Sequence, residues 1–141
     1  MSTETAFQIL NALVLPQWLL MLVAPRWKPT DWLTKMLPIP ALLAVFYIYY
    51  LFSGNSGLDW QSFSTLAGIK SLFSHDKALL AGWIHYLAFD LTVGSWMLRD
   101  SKRRKVPHGW MIPCLLFCFL LGPVGLLLYL GVRSMKQQTI Y

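Results

Sequence analysis

The chain has 141 residues, of which 56% are hydrophobic and only 13% charged, about half the charged fraction of an ordinary soluble domain. Several apolar stretches reach the length that crosses a bilayer, which a water-soluble core of this size does not need. Twelve Lys and Arg against six Asp and Glu give a formal net charge of +6, but the basic residues gather at the ends of apolar runs, which favours topology and lipid contact over a nucleic-acid surface.

The first eight residues, MSTETAFQ, carry Glu4 and neither Lys nor Arg, so they lack the basic start of a secretory signal or transit peptide, and the apolar stretch that follows is expected to stay as an anchor. That stretch, 6–24, is the first predicted span. It is closed by Pro25, and Arg26, Trp27, Lys28 and Trp32 read as interfacial anchors. Its nineteen residues rise about 28 Å, close to the hydrocarbon thickness, and Pro16 within it predicts a kink or break. The second span, 38–53, opens on PIP and ends in the aromatic cluster FYIYYLF, a belt at the opposite interface. Residues 58–79 are too polar to span, yet Leu58, Phe63, Leu66, Ile69, Leu72 and Phe73 recur at helical spacing, which predicts an amphipathic interfacial segment. The third span, 78–98, runs into RDSKRRK, the densest basic cluster, and the fourth, 111–132, contains Gly122-Pro123, a bend signal, and ends at Arg133. The expected fold is therefore all-α: one integral membrane domain over 1–141, a four-helix bundle with an amphipathic segment between spans two and three.

Lys and Arg beside span ends are retained on the cytoplasmic side. With four spans, one side carries Arg26, Lys28, Lys35, Arg99, Lys102, Arg103, Arg104 and Lys105, the other Lys70, Lys77, Arg133 and Lys136. This division predicts both termini on the non-cytoplasmic side of a bacterial inner membrane, or the lumenal side of a photosynthetic one.

An ionisable group at the bilayer centre costs about 2.5–3.5 kcal/mol, so it normally faces a bundle interior with a partner. Asp90, in GWIHYLAFDL, is the only carboxylate deep in any predicted span. Tyr86 and Trp83, four and seven residues earlier, share its helical face, whereas His85 lies about 140° around the helix. A desolvated Asp90 could donate a proton and a neutral His85 accept one, an acid/base pair flanking an elongated ligand. Gln8, Asn11 and Gln17 on span one could line a cleft against span three, or clamp the helices together by hydrogen bonds. Cys114 and Cys118 share one face and read as packing residues. No phosphate loop, dinucleotide fingerprint, nucleophile elbow or metal motif occurs in the sequence, which disfavours cofactor, nucleotide and metal chemistry. Seven Trp, six Tyr and eight Phe suit either packing among helices or stacking on a flat ligand or polyene.

The blocks NALVLPQWLLMLVAPRW (11–27), TLAGIKSLFS (65–74), GWIHYLAFDLTVGSW (82–96) and GPVGLLLYL (122–130) resemble the family of small membrane proteins related to the plant abscisic-acid-deficient protein four, associated with neoxanthin formation. The resemblance implies a carotenoid as partner, alongside membrane lipid, and no cofactor: neoxanthin is an isomer of violaxanthin, reached by opening an epoxide and moving a proton. On that footing Asp90 would polarise the epoxide oxygen and His85 take the proton, both catalytic, with Asn11, Trp83, Tyr86 and Arg99 as substrate-binding groups. Two other classes stay open: a non-catalytic membrane protein that binds carotenoid or lipid or steadies a complex, and a transporter, which four spans could form only as a homo-oligomer.

Overall fold

A computed structural model describes residues 2–52 and 60–138. Among the described residues the chain is all-helical: α1 (Thr3–Val23), α2 (Lys28–Met36), α3 (Pro38–Phe52), a 3-10 turn (Trp60–Ser64), α4 (Leu66–Leu72), α5 (Asp76–Arg103), α6 (His108–Leu120) and α7 (Gly122–Gln138). The helices divide between two units, one made of Met1–Leu13 and Ile39–Ala88, the other of Val14–Pro38 and Phe89–Tyr141.

Local chemistry sets most helix ends. The Ser2 hydroxyl accepts from the Thr5 N–H at 3.1 Å and so caps α1. Of the kink or break expected at Pro16, the break does not occur: α1 is one 21-residue helix with Pro16 inside it, short of one backbone donor there. Asp76 opens α5 and Lys102 and Arg103 close it, each sign matching the helix dipole. The end of α5 is a Schellman turn: Lys105 is left-handed at φ 59°, the Val106 N–H reaches the Ser101 carbonyl at 2.8 Å and the Lys105 N–H the Lys102 carbonyl at 3.2 Å. Leu37, left-handed at φ 54°, separates α2 from α3, and Pro38 then starts α3 with a ring suited to a first helical turn.

In the first unit Ala6, Leu10, Leu43, Ala81 and Ile84 form the core. The predicted amphipathic stretch 58–79 resolves into the 3-10 turn, α4 and the start of α5, with residues 58–59 outside the described part. Thr65 caps α4 by accepting from the Gly68 N–H at 2.9 Å. Only Leu72 of its apolar side chains is buried, whereas Phe63, Leu66 and Phe73 stay exposed.

The second unit contains the largest departure from expectation. Residues 111–132 are not one span: α6 ends at Leu120 and α7 begins at Gly122. The two helices fold back on each other so closely that a Cβ on Gly125 would stand 2.5 Å from Cys118 Cα and 2.6 Å from the Cys114 carbonyl oxygen. Direction follows from the contacts with α5. Cys118, late in α6, reaches the Asp90 carbonyl, and Gly122 lies on the Asp90 side chain; Tyr129 and Arg133, further along α7, reach Asp100. α7 therefore runs alongside α5 in the same direction, and α6 runs against it. The lengths agree, since the 13-residue α6 and the stretch of α5 from Arg103 back to Asp90 each rise about 20 Å. Glycine at 122 and 125 is what a turn and return this tight require, which goes beyond the bend expected of Gly122-Pro123.

Among the described residues, two helical segments are long and apolar enough to cross a membrane: Thr3–Val23, and Lys28–Phe52 counted across Leu37. That is fewer than the four spans expected, because α5 carries more polar residues and the fourth apolar run is cut into two short helices. The surface is nonetheless oily: Leu19, Val45, Phe52, Phe89, Leu120 and Leu127 are all more than half exposed, a density of outward apolar side chains that a protein in water rarely carries.

Candidate functional site

The sequence-nominated residues fall in two places. In the first unit, Asn11 on α1 and Trp83 on α5 meet directly: the indole Nε1–H donates to Asn11 Oδ1 at 2.7 Å. Trp83 stacks on Tyr86, one turn on, with centroids 5.0 Å apart and planes 26° from parallel, and its other neighbour is Phe7 at 5.6 Å. The row Phe7–Trp83–Tyr86 is an aromatic ledge pinned by Asn11. Beside it opens a cavity of about 440 Å³ whose walls include Phe7, Leu79, Leu80 and Trp83, with the carboxylates of Glu4 and Asp76 in its lining. His85, two residues beyond Trp83, lines a different cavity of about 300 Å³ with Tyr47, Phe63, Phe73 and Gly82. The Tyr47 ring meets the imidazole edge-on at 5.7 Å. His85 is an exposed residue at the edge of this largely apolar, aromatic-walled cavity.

Asp90 and Arg99 belong to the second unit. The Asp90 carboxylate lies against Gly122, where any Cβ would overlap it, and so faces the first turn of α7, the positive end of that helix. The thiol of Cys118 donates to the Asp90 backbone carbonyl at 3.5 Å. Arg99 is nine residues further along α5, about 13 Å up the helix, where it pairs with Asp31 at 3.5 Å. The structure thus brings Asn11, Trp83 and Tyr86 together, gives His85 its own cavity, and puts Asp90 and Arg99 in separate surroundings. Gln17, the third amide noted on span one, is an interhelical clamp, its Nε2 donating to Ser95 Oγ at 2.8 Å in the buried interior.

The most enclosed carboxylate is one that sequence reasoning passed over. Asp100 is 3% exposed and is met by Arg103 at 2.7 Å, Arg104 at 3.2 Å and Arg133 at 3.7 Å, while the Tyr129 hydroxyl donates to it. Burial alone would raise its pKa, but the Tyr129 hydroxyl and the Arg103, Arg104 and Arg133 guanidiniums outweigh burial and hold it below the ordinary carboxylate value. The available signal was the spacing of Trp96, Arg99, Asp100 and Arg103, which fills one helical face. His108 was missed too: its Nε2–H donates to the Leu22 carbonyl at 2.7 Å and satisfies one of the free acceptors at the end of α1.

The described residues form a small, all-helical, oily protein with aromatic-walled cavities and a strongly basic end to α5. The chain belongs to the ABA DEFICIENT 4-like family, whose model matches residues 5–129. It is similar to protein ABA DEFICIENT 4, chloroplastic, of Arabidopsis thaliana, with 27% identity over 144 residues, covering 93% of this chain and 61% of that protein. The chain thus spans about three-fifths of the length of this relative. No solved structure matches it.

Proposed function

We propose that this is an integral membrane protein of carotenoid metabolism that isomerises an epoxy-carotenoid by acid and base, of the violaxanthin-to-neoxanthin type. The observation that carries the reading is membership of the ABA DEFICIENT 4-like family across residues 5–129. The aromatic cavity beside His85 supports it with a surface suited to a polyene. The step is redox-neutral and balances within one molecule. By side-chain chemistry, the Asp90 carboxyl is the group suited to protonate the epoxide oxygen as the ring C–O bond breaks, and the His85 imidazole the group suited to take a proton from the adjacent polyene carbon, whose C–H electron pair becomes the second double bond of the allene. Asn11 and Tyr86 hold Trp83 as a stacking surface, and Arg99 binds at the polar end.

In this reading α1, the α2–α3 segment and α5 each cross the bilayer, whereas α6 and α7 enter from the basic end and return to it. Arg133 and Lys136 then join Arg26, Lys28, Lys35, Arg99 and Lys102–Lys105, leaving only Lys70 and Lys77 opposite. The charge asymmetry becomes steeper than four spans would give, and it moves the C-terminus to the cytoplasmic side while the N-terminus stays non-cytoplasmic. The host membrane is a photosynthetic one, by analogy with the chloroplastic relative, or a bacterial inner membrane.

Co-expression in a bacterial host that makes violaxanthin, followed by pigment chromatography, tests the activity. A neoxanthin peak that falls at least a hundredfold in Asp90→Asn and His85→Gln is expected; unchanged pigment with folded wild-type protein would rule it out. The ledge Phe7–Trp83–Tyr86 also favours a second reading, a carotenoid or lipid binder without turnover. In that case the protein purified in mild detergent carries coloured pigment and the chromatogram does not change.

A further inference from the structure

The basic end of α5 carries a feature of which the isomerase reading uses Arg99 alone. Trp96, Arg99, Asp100 and Arg103 line a pocket of about 230 Å³, just past the apolar run that ends at Leu98. Two of its lining residues, Trp96 and Asp100, are already held by neighbours. Tyr129 meets the Trp96 ring edge-on at 5.7 Å, Arg133 stands 5.9 Å over the same ring, and Asp100 is enclosed by Tyr129, Arg103, Arg104 and Arg133. Positive charge is left over. Three guanidiniums share the single carboxylate of Asp100, and Arg99 and Lys102 share that of Asp31 at 3.5 Å and 3.9 Å, so five cations face two anions. The crowding acts on Lys102: burial lowers its pKa, Asp31 raises it, and Arg26 and Arg99 lower it again, leaving it below the ordinary ammonium value.

We infer that the Trp96–Arg99–Arg103 pocket binds a phosphate oxyanion, supplied either by the headgroup of an anionic phospholipid or by free phosphate. Guanidinium forks match phosphate oxygens in pairs. A tryptophan at the level of the headgroups provides the amphipathic wall found at membrane interfaces, and basic pockets between helices on the cytoplasmic side are suited to acidic headgroups. Asp100 takes part by bracing Arg103 and Arg133, not by touching the ligand. The membrane reading bears only on the source of the phosphate; the pocket and its charge do not depend on the isomerase reading.

The test uses the full chain in neutral detergent, with native mass spectrometry of micelles doped with dioleoylphosphatidylglycerol or dioleoylphosphatidylcholine, and a thermal-shift series in inorganic phosphate. Retention of phosphatidylglycerol over phosphatidylcholine is expected. Apparent affinity should fall about tenfold in Arg99→Gln/Arg103→Gln and stay within about twofold in Lys28→Gln/Lys35→Gln, which removes the same charge from α2. Because Arg103 also braces Asp100, Arg99→Gln alone is run in parallel, with about a threefold loss at unchanged melting temperature expected. If inorganic phosphate raises the melting temperature of wild type but not of Arg99→Gln and no lipid is retained, the site stands and its source is the free ion. Equal retention of the two lipids, without a phosphate effect that depends on Arg99, overturns the inference, and so does equal loss in the two double variants.

Discussion

Asp100 shows how one residue can organise a helix end. Its carboxyl has a lower pKa folded than unfolded, so its pairing contributes stability that is complete above the unfolded value of about 3.9 and is lost as pH falls through the lower folded value. Thermal stability of the wild type should therefore drop as the pH is lowered below about 4. Asp100→Asn should remove this part of the pH dependence and cost about 3 kcal/mol at neutral pH, by leaving buried donors and guanidiniums without their anion; melting curves between acidic and neutral pH measure both effects. Lys105 offers the opposite case. It occupies the left-handed position of a Schellman turn, where glycine carries no Cβ penalty, so Lys105→Gly should raise stability by about 0.5–1 kcal/mol, seen as a higher melting temperature.

Among the elements, α6 and α7 make the sharpest prediction. A Cβ at Gly125 would run into the α6 backbone, whereas one at Gly131, on the same helix, meets nothing within 4 Å. Gly125→Ala should destabilise by about 1–3 kcal/mol through overpacking, and Gly131→Ala should be neutral or stabilise by up to about 1 kcal/mol through helix propensity. Denaturation of the two variants side by side decides it. These helices also show what could be read from the sequence and what could not. Apolar length and flanking charge located α1, α3 and α5, since those signals are local. The return of the chain at Leu121 was hidden, because 111–132 is apolar throughout and only the spacing of Gly122 and Gly125 marks a backbone approach that depends on Cys114 and Cys118. α2 was overlooked because a nine-residue helix with Thr30 and Thr34 buried carries too little periodicity to stand out. At the site, Trp83 and Tyr86 could be paired from their spacing, but the Asn11 bond to Trp83 joins residues 72 positions apart, which no local pattern encodes.

For the whole molecule, the proposed path of three crossings and one return sets the two ends of the chain on opposite faces. Single cysteines placed at Ser2 and Ser134, in a background with Cys114 and Cys118 changed to Ser or Ala, should label from opposite sides of sealed vesicles with an impermeant maleimide; labelling from one side would restore a four-span topology. The return of α6 and α7 also bears on how the protein is made. On the proposed path the turn lies within the bilayer, where lipid supplies no hydrogen bond, so its backbone groups rely on partners within the protein, as when the Leu121 carbonyl accepts from Val124 and Gly125 at 2.9 and 3.3 Å. At about 20 Å, α6 is also too short to leave an insertion channel as a stable segment of its own. On the proposed path the last quarter of the polypeptide would wait at the headgroups until α1 and α5 have been delivered and can receive it, so biogenesis would run in a fixed order from the N-terminal helices to a hairpin that seats itself last.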